Sequence, residues 1–359
     1  MIDTVKMKKW KVYISKSGSH LRTPSAWLSV LILVGLIVIT SQYCDLTDYR
    51  VYYREYNSIM QTGEIGLTHD FEVGYTAIEF LMARMGIPFR VFYASYMAIF
   101  LYLIYKFYAT HLNNPLYALV LFVVFPYINC VQQIRSALAA AIMLQAVDGL
   151  LLKKKRGKRN FILAVALSAT LHITNVIFLL FIPILGIAEK KLEKLLVILF
   201  VVVPFGASGI YQVLYAVLSA IPVFDRIMHN VGKTLYISRF TTLTFLLFAI
   251  LLALLIFVKH CGLQDEISLG LYKLALLSIG FIFFMILSAN AYRVSIMLLP
   301  IIYTAVLRMA QQQNARNRVF FKVSLLIFAC TIFILFWGPA NPDMYYILTK
   351  VMWKMSPIN

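Results

Sequence analysis

Three short stretches of the chain set an ionisable side chain directly against apolar sequence: Gln132-Gln133-Ile134-Arg135-Ser136, Leu171-His172-Ile173 and Ala291-Tyr292-Arg293. A guanidinium grips phosphate or carboxylate oxygens two at a time, so Arg135 and Arg293 point to recognition of an anion. Arg135 follows a break at Pro126-Tyr127 and falls near the start of a new helix. There its charge adds to the positive helix terminus, which suits phosphate. Gln132 shares that helical face. His172 interrupts an apolar run and has Ser168, Thr170, Thr174 and Asn175 around it. It is either a satisfied core histidine or a group that positions an anion or an acceptor.

The acids are distributed unevenly. Six of the 15 (Asp45, Asp48, Glu55, Glu64, Asp70 and Glu72) fall between Tyr43 and Gly74, together with Tyr49, Tyr52, Tyr53 and Tyr56, and Tyr75 follows at once. Tyrosines beside carboxylates offer a stacking face and hydroxyl partners to a sugar ring. They are equally at home at a membrane interface. The four cysteines are dispersed, and neither Cys-x-x-C nor Asp-x-Asp occurs, so the sequence predicts no metal site and no cofactor. Gly232-Lys233-Thr234 resembles the end of a phosphate-binding loop, but Ile227 stands where that motif needs its first glycine.

The elements that must hold these residues are membrane helices. Hydrophobic residues make up 61% of the 359 and charged ones 13%, about half the usual charged share of a soluble domain. A crossing helix takes roughly 17–25 apolar residues, and the apolar runs predict an all-α polytopic membrane protein with about 11 transmembrane helices. Ala26–Gln42 reads as a retained signal anchor, and Pro115–Leu152 and Asn160–Ala188 as pairs of helices joined by a break. Gly74–Met85 is too short to span and reads as an outer interfacial or re-entrant helix, with Glu79 seven residues after Glu72 on nearly the same face.

Orientation follows from charge. The net charge is +18, and short loops rich in lysine and arginine stay on the cytoplasmic side. With the basic clusters inside, almost every stretch between them has room for two crossings. The chain then divides into a cytoplasmic basic tail (1–25), a transmembrane domain (26–338) with outer loops at 43–90 and 209–239, and an outer C-terminal tail (339–359). Arg135, His172, Arg293 and the acidic segment all fall on the outer side. A charged residue at the bilayer centre costs at least ~2.5–3.5 kcal/mol, so such groups usually face a pathway or a site. Snorkelling to the headgroups is the plainer account of any one arginine. Basic charge scattered over membrane-anchored loops does not make a nucleic-acid surface.

The same residues carry a resemblance. Thr47-Asp48-Tyr49 with Tyr52 and Tyr56, Glu72-x-Gly74-Tyr75, Ile134-Arg135-Ser136-Ala137-Leu138-Ala139, a basic loop and then Leu171-His172 resemble the EpsG-type family of Wzy-like polysaccharide polymerases. Val73 and Ser136 depart from the family's usual proline and glutamine, beside the ionisable positions rather than on them. The resemblance covers roughly residues 26–310. It implies a metal-independent membrane glycosyltransferase at the outer face of a bacterial inner membrane. Its substrate would be an oligosaccharide repeat unit on a polyprenyl pyrophosphate, its surroundings membrane lipid, and its partners a flippase and a chain-length regulator. The product would be capsule, O-antigen or exopolysaccharide.

The residues suit that chemistry on their own terms. Arg135 and Arg293 would neutralise a departing pyrophosphate. The incoming hydroxyl needs a base, with Asp48, Glu72 and His172 as candidates; Asp48 or Glu72 is preferred, because a carboxylate can also stabilise oxocarbenium character. Gln132, Tyr49, Tyr52 and Tyr75 would contact the glycan or pyrophosphate. A flippase or exporter of lipid-linked sugar, and a related transferase such as a polysaccharide ligase, are the competing functions. A transporter would show internal repeats and charges near mid-membrane.

Overall fold

The computed structural model describes residues 24–43, 47–66, 71–203, 239–261, 265–286 and 292–339, with four positions nearer the C-terminus. Most of the tail 1–25, nearly all of the loop 209–239 and most of the tail 339–359 lie outside the described residues. So do Cys44, Asp45, Asp70 and Gly232-Lys233-Thr234.

Every described element is helical. In chain order these are α1 (Pro24–Tyr43), α2 (Thr47–Thr62), α3 (Val73–Arg84), α4 (Phe89–His111), α5 (Pro115–Val124), α6 (Tyr127–Gln132), α7 (Ile134–Leu151) and α8 (Gly157–Leu171). A 3₁₀ stretch, Ile173–Leu180, leads into α9 (Phe181–Gly186), and α10 covers 189–203. Then come α11 (Arg239–His260), α12 (Glu266–Gly280), a 3₁₀ stretch Phe281–Ile286, α13 (Tyr292–Met297), α14 (Leu299–Gln311) and α15 (Ala315–Trp337). Six segments have the length and apolarity to cross a membrane: Pro24–Ser41, Phe89–His111, Ile134–Leu151, Phe240–His260, Glu266–Met285 and Ala315–Trp337. That is the pattern of a multi-pass membrane protein. The remaining apolar helices are shorter or broken.

Local sequence sets the breaks. Pro126 lacks an N–H and biases Phe125 away from helix, so α5 ends at Val124. Asn114 caps the start of α5 by accepting from Leu116 N–H at 3.1 Å, with Pro115 at the first helical position. Non-helical backbone inside an apolar bundle needs partners. Tyr303 donates to the Phe125 carbonyl at 3.0 Å, Tyr93 to Val131 at 3.1 Å, and the Trp337 indole to Asn129 Oδ1 at 2.9 Å. α14, buried from Leu299 to Ala310, runs through the middle of the bundle.

The helices end in a polar layer remote from the break. His111 Nε2 lies 2.9 Å from Asp148, Lys153 pairs with Glu266 at 2.8 Å, and Lys259 pairs with Glu193. Arg308 donates to Asp265 at 2.8 Å, to the His111 carbonyl at 2.9 Å and to Ser268 at 3.1 Å. The sequence places Lys153 a few residues from Asp148 and suggests that they pair. Instead α7 ends at Leu151 and the turn swings Lys153 towards α12, leaving Asp148 facing α4.

α7 and α8 form the hairpin that positions the site. Their 18 and 15 residues give lengths of roughly 27 and 22 Å. At the closed end the two backbones touch: a methyl carbon on Gly157 would stand 1.8 Å from the Gly149 carbonyl oxygen. At the open end Arg135 begins α7 and His172 follows α8. Gly157→Ala should destabilise the protein by about 1–3 kcal/mol, as overpacking does. Thermal unfolding in detergent should show a lowered midpoint for it and none for Gly35→Ala, where an added methyl meets nothing within 4 Å.

Candidate functional site

At the open end of the hairpin one carboxylate collects three segments. Glu72 precedes α3 in extended conformation, and its side chain leaves the capping of its own helix to reach outward. Its Oε2 accepts from Arg135 Nη1 of α7. Its Oε1 lies 2.8 Å from His172 Nδ1 and accepts the Ile173 N–H at 3.2 Å. That N–H is free because His172 is extended, with φ −159° and ψ 109°, and stops α8. The approach of α3 to α8 depends on Gly74, where an added methyl carbon would come within 2.3 Å of Thr170 Oγ1 and 2.8 Å of its carbonyl oxygen.

The guanidinium of Arg135 is held by rings. Its central carbon lies 4.2 Å from the Phe71 ring centre, 5.4 Å from Tyr75 and 5.5 Å from Tyr52. The rings also pack on one another, Phe71 against Tyr75 at 5.2 Å and Tyr52 against Phe71 at 5.5 Å. Cation–π contacts of this kind contribute about 0.5–2 kcal/mol each. The Arg135 Nε–H is buried without a partner. The three ionisable side chains are partly open, 15% for Arg135, 20% for Glu72 and 26% for His172.

Each expected site residue has a definite place. Glu72, His172, Arg135, Tyr52 and Tyr75 come together. Asp48, in the first turn of α2, and Arg293, in the first turn of α13, stand close enough for their charges to act on the Tyr52 hydroxyl. Burial pushes that hydroxyl up to about 12, against the pull of Arg135; Asp48 adds to the rise and Arg293 opposes it. Arg293 also keeps a buried Nε–H with no partner. Gln132, the last residue of α6, is buried, and Tyr49 packs edge-on against Phe89 and Tyr93 at 5.2 and 5.0 Å. Tyr49, Tyr52 and Tyr75 are at most 5% exposed, so their faces serve one another and Arg135 rather than the surface. Phe71, the ring nearest the guanidinium, carries no polar group and gave the sequence no reason to single it out. Among the described residues no three His, Cys, Asp or Glu side chains converge as metal ligands.

Charge balance fixes the state of Glu72. Burial pulls its carboxyl upward, but the His172 hydrogen bond and the Arg135 charge outweigh that and hold it down at about 2. It is therefore an anion under all ordinary conditions.

A helical membrane bundle with a carboxylate–guanidinium–imidazole cluster at one end of its helices defines the class. The EpsG family model matches residues 25–348, and the chain belongs to the EpsG family. Membership points to a role of the polysaccharide-polymerase type. No curated protein and no solved structure matches the chain.

The depressed Glu72 carboxyl makes a sign prediction. Its folded-state value is below the ordinary 4.5, so the stability it contributes is present above that value and lost as pH falls through about 2. Chemical unfolding should show the wild type more stable than Glu72→Gln by a constant margin from pH 8 to pH 5. The margin should shrink below pH 4.5; one that is flat down to pH 2 would show that the ion pair contributes nothing.

Proposed function

We propose that this chain is a polymerase of surface polysaccharide, acting at the outer face of a bacterial inner membrane with its N-terminus in the cytoplasm. The observation that carries the proposal is the Glu72 carboxylate shared between Arg135 and His172, in a chain of the EpsG family. In this reading the bundle crosses about eleven times. The apolar segments support it: the six long helices, α5 with its break, α8, Ile173–Gly186, α10 and α13–α14. Alternate crossings from an inner N-terminus then bring Asp48, Glu72, Arg135, His172 and Arg293 to one side.

The donor is a glycan on a polyprenyl pyrophosphate, such as undecaprenyl pyrophosphate, and the acceptor is the next lipid-linked repeat unit. An acceptor hydroxyl oxygen bonds to the donor's anomeric carbon as the bond from that carbon to the pyrophosphate oxygen breaks. The electron pair leaves with the pyrophosphate, whose growing charge is met by Arg135 and Arg293. Interactions that strengthen only as charge develops lower the barrier most.

His172 takes the hydroxyl proton. A carboxylate on Nδ1 fixes the tautomer with the proton there, which leaves Nε2 as the acceptor, and the carboxylate stabilises the imidazolium that forms. Glu72 itself, held near pH 2, is too weak a base for this step while Arg135 grips it. Asp48, whose charge acts on the Tyr52 hydroxyl, is the second carboxylate of this proposed site. The exporter reading has less support, because the described ionisable clusters lie at helix ends rather than half-way along.

Purified protein incubated with lipid-linked repeat units should form polymer without nucleotide sugar or ATP. Arg135→Ala should slow chain extension by about 10²–10³-fold, the usual cost of losing a donor to developing charge. His172→Gln should slow it by about 10²–10⁴-fold. Wild-type ladders from either variant would remove these roles, and polymer that needs a nucleotide sugar would remove the reaction.

A further inference from the structure

Glu79 lies two turns along α3 from Glu72 and is 0% exposed, with both carboxyl oxygens buried and unpartnered. An unsatisfied polar group in such a place is costly, and an ionised one more so. Glutamine would fill the same shape without an ionisable proton, which makes Glu79→Gln the permanently neutral reference.

The groups facing it come from every neighbouring element. α2 supplies Glu55 and Tyr56, α3 itself Tyr75, α4 Tyr96 and α7 Arg135, whose charges or hydroxyls interact with the Glu79 carboxyl. Glu55 is itself engaged, accepting the Gly66 N–H at 2.7 Å. The Tyr96 hydroxyl is buried and unpartnered like Glu79. Burial above all, then the charge of Glu55, raises the Glu79 carboxyl to about 8, with Arg135 opposing. Two acids of one short segment thus stand in opposite states at neutral pH, Glu72 ionised and Glu79 protonated, with the same guanidinium acting on both. Environments that push two titratable groups apart assign them different tasks.

We propose that Glu79 is a positioning residue for the anion site, set to remain neutral so that the field of Arg135 is left for the pyrophosphate. With Glu79 protonated, Arg135 and Glu72 balance, and Arg293 tips the site towards anions. Ionised, Glu79 places a second negative charge behind the guanidinium, and the site repels the leaving group it is built to hold. The stability that the neutral form confers is fully present below the ordinary 4.5 and is lost as pH rises through about 8. The inference rests on the polymerase reading only for the identity of the anion.

The test uses the full chain in lipid nanodiscs, with inorganic pyrophosphate as the probe. Infrared spectra should show the carbonyl stretch of a protonated carboxylic acid, absent from Glu79→Gln, that disappears as pH rises through about 8. Pyrophosphate affinity of the wild type should fall about tenfold between pH 7 and pH 9.5, within the usual range for two coupled ligands. Glu79→Gln should bind normally at pH 7 and lack that fall; Glu79→Met serves the same purpose should the glutamine variant not fold. By reciprocity, pyrophosphate should shift the infrared titration upward. An equal alkaline fall in the variant, or a carboxyl already ionised at pH 7, would overturn the proposal. Failure of the polymerase reading is seen separately, as wild-type protein that binds pyrophosphate yet makes no polymer.

Discussion

The arrangement depends on a single anion that must serve three partners. Glu72 takes a guanidinium from α7, an imidazole beyond α8 and a backbone N–H from the 3₁₀ stretch that follows. Each of those donors would be costly to leave unmatched, since removing one partner of a charge pair strands the other away from water. The break at His172 is therefore stabilised by the carboxylate as well as caused by the local sequence. Gly74 is the steric condition for all of it. With a side chain there, α3 could not approach Thr170, and the carboxylate would fall short of both donors.

Polar groups are confined to helix ends because a bilayer interior penalises them anywhere else. In one layer Arg308, Asp265, Asp148 and His111 lock four helices together, with most of their valences used on one another. In the other, Arg135 and Arg293 each retain a buried N–H without a partner. Under the proposed function, a cation with an unused donor, steadied by aromatic rings, is prepared for a ligand. The break at residues 125–133 falls between, and there the exposed carbonyls are supplied by Tyr93 and Tyr303.

Much of this was legible in the sequence, for identifiable reasons. Helix existence follows from apolar length, and the breaks at Pro126 and His172 from proline chemistry and a polar run inside an apolar one. Arg135, Glu72 and His172 stand out because charge is scarce in this composition, so each ionisable residue at a helix end carries weight. What the sequence could not give is which groups touch. Tyr52 and Tyr75 suited a sugar or the interface equally, and only tertiary packing turns them onto a guanidinium. Phe71 looks like any apolar residue until Arg135 lies over it. Glu72 and Glu79 share a helical face by spacing, yet one ends beside a guanidinium and an imidazole and the other is buried without a partner, a contrast set by the neighbouring elements and not by α3. Asp148 shows the same limit: its near neighbour in sequence is Lys153, and its partner in space is His111.

The opposition between a depressed and a raised carboxyl bears on how such a site turns over. While the site is empty, Arg135 and His172 both stabilise the Glu72 anion, and a carboxylate so well satisfied accepts a proton poorly. In the proposed reaction, a pyrophosphate entering beside Arg135 would compete for the guanidinium and draw part of its charge away from Glu72. Less stabilised, the carboxylate would lean harder on the His172 N–H, and Nε2 would become the stronger base once the donor is in place. Under that proposal, substrate binding and base activation are one event, carried through a carboxylate that never gives up its charge. The same logic requires that no further anion approach Arg135 from behind. A carboxyl buried among Tyr56, Tyr75 and Tyr96 is compatible with the site only as the neutral acid.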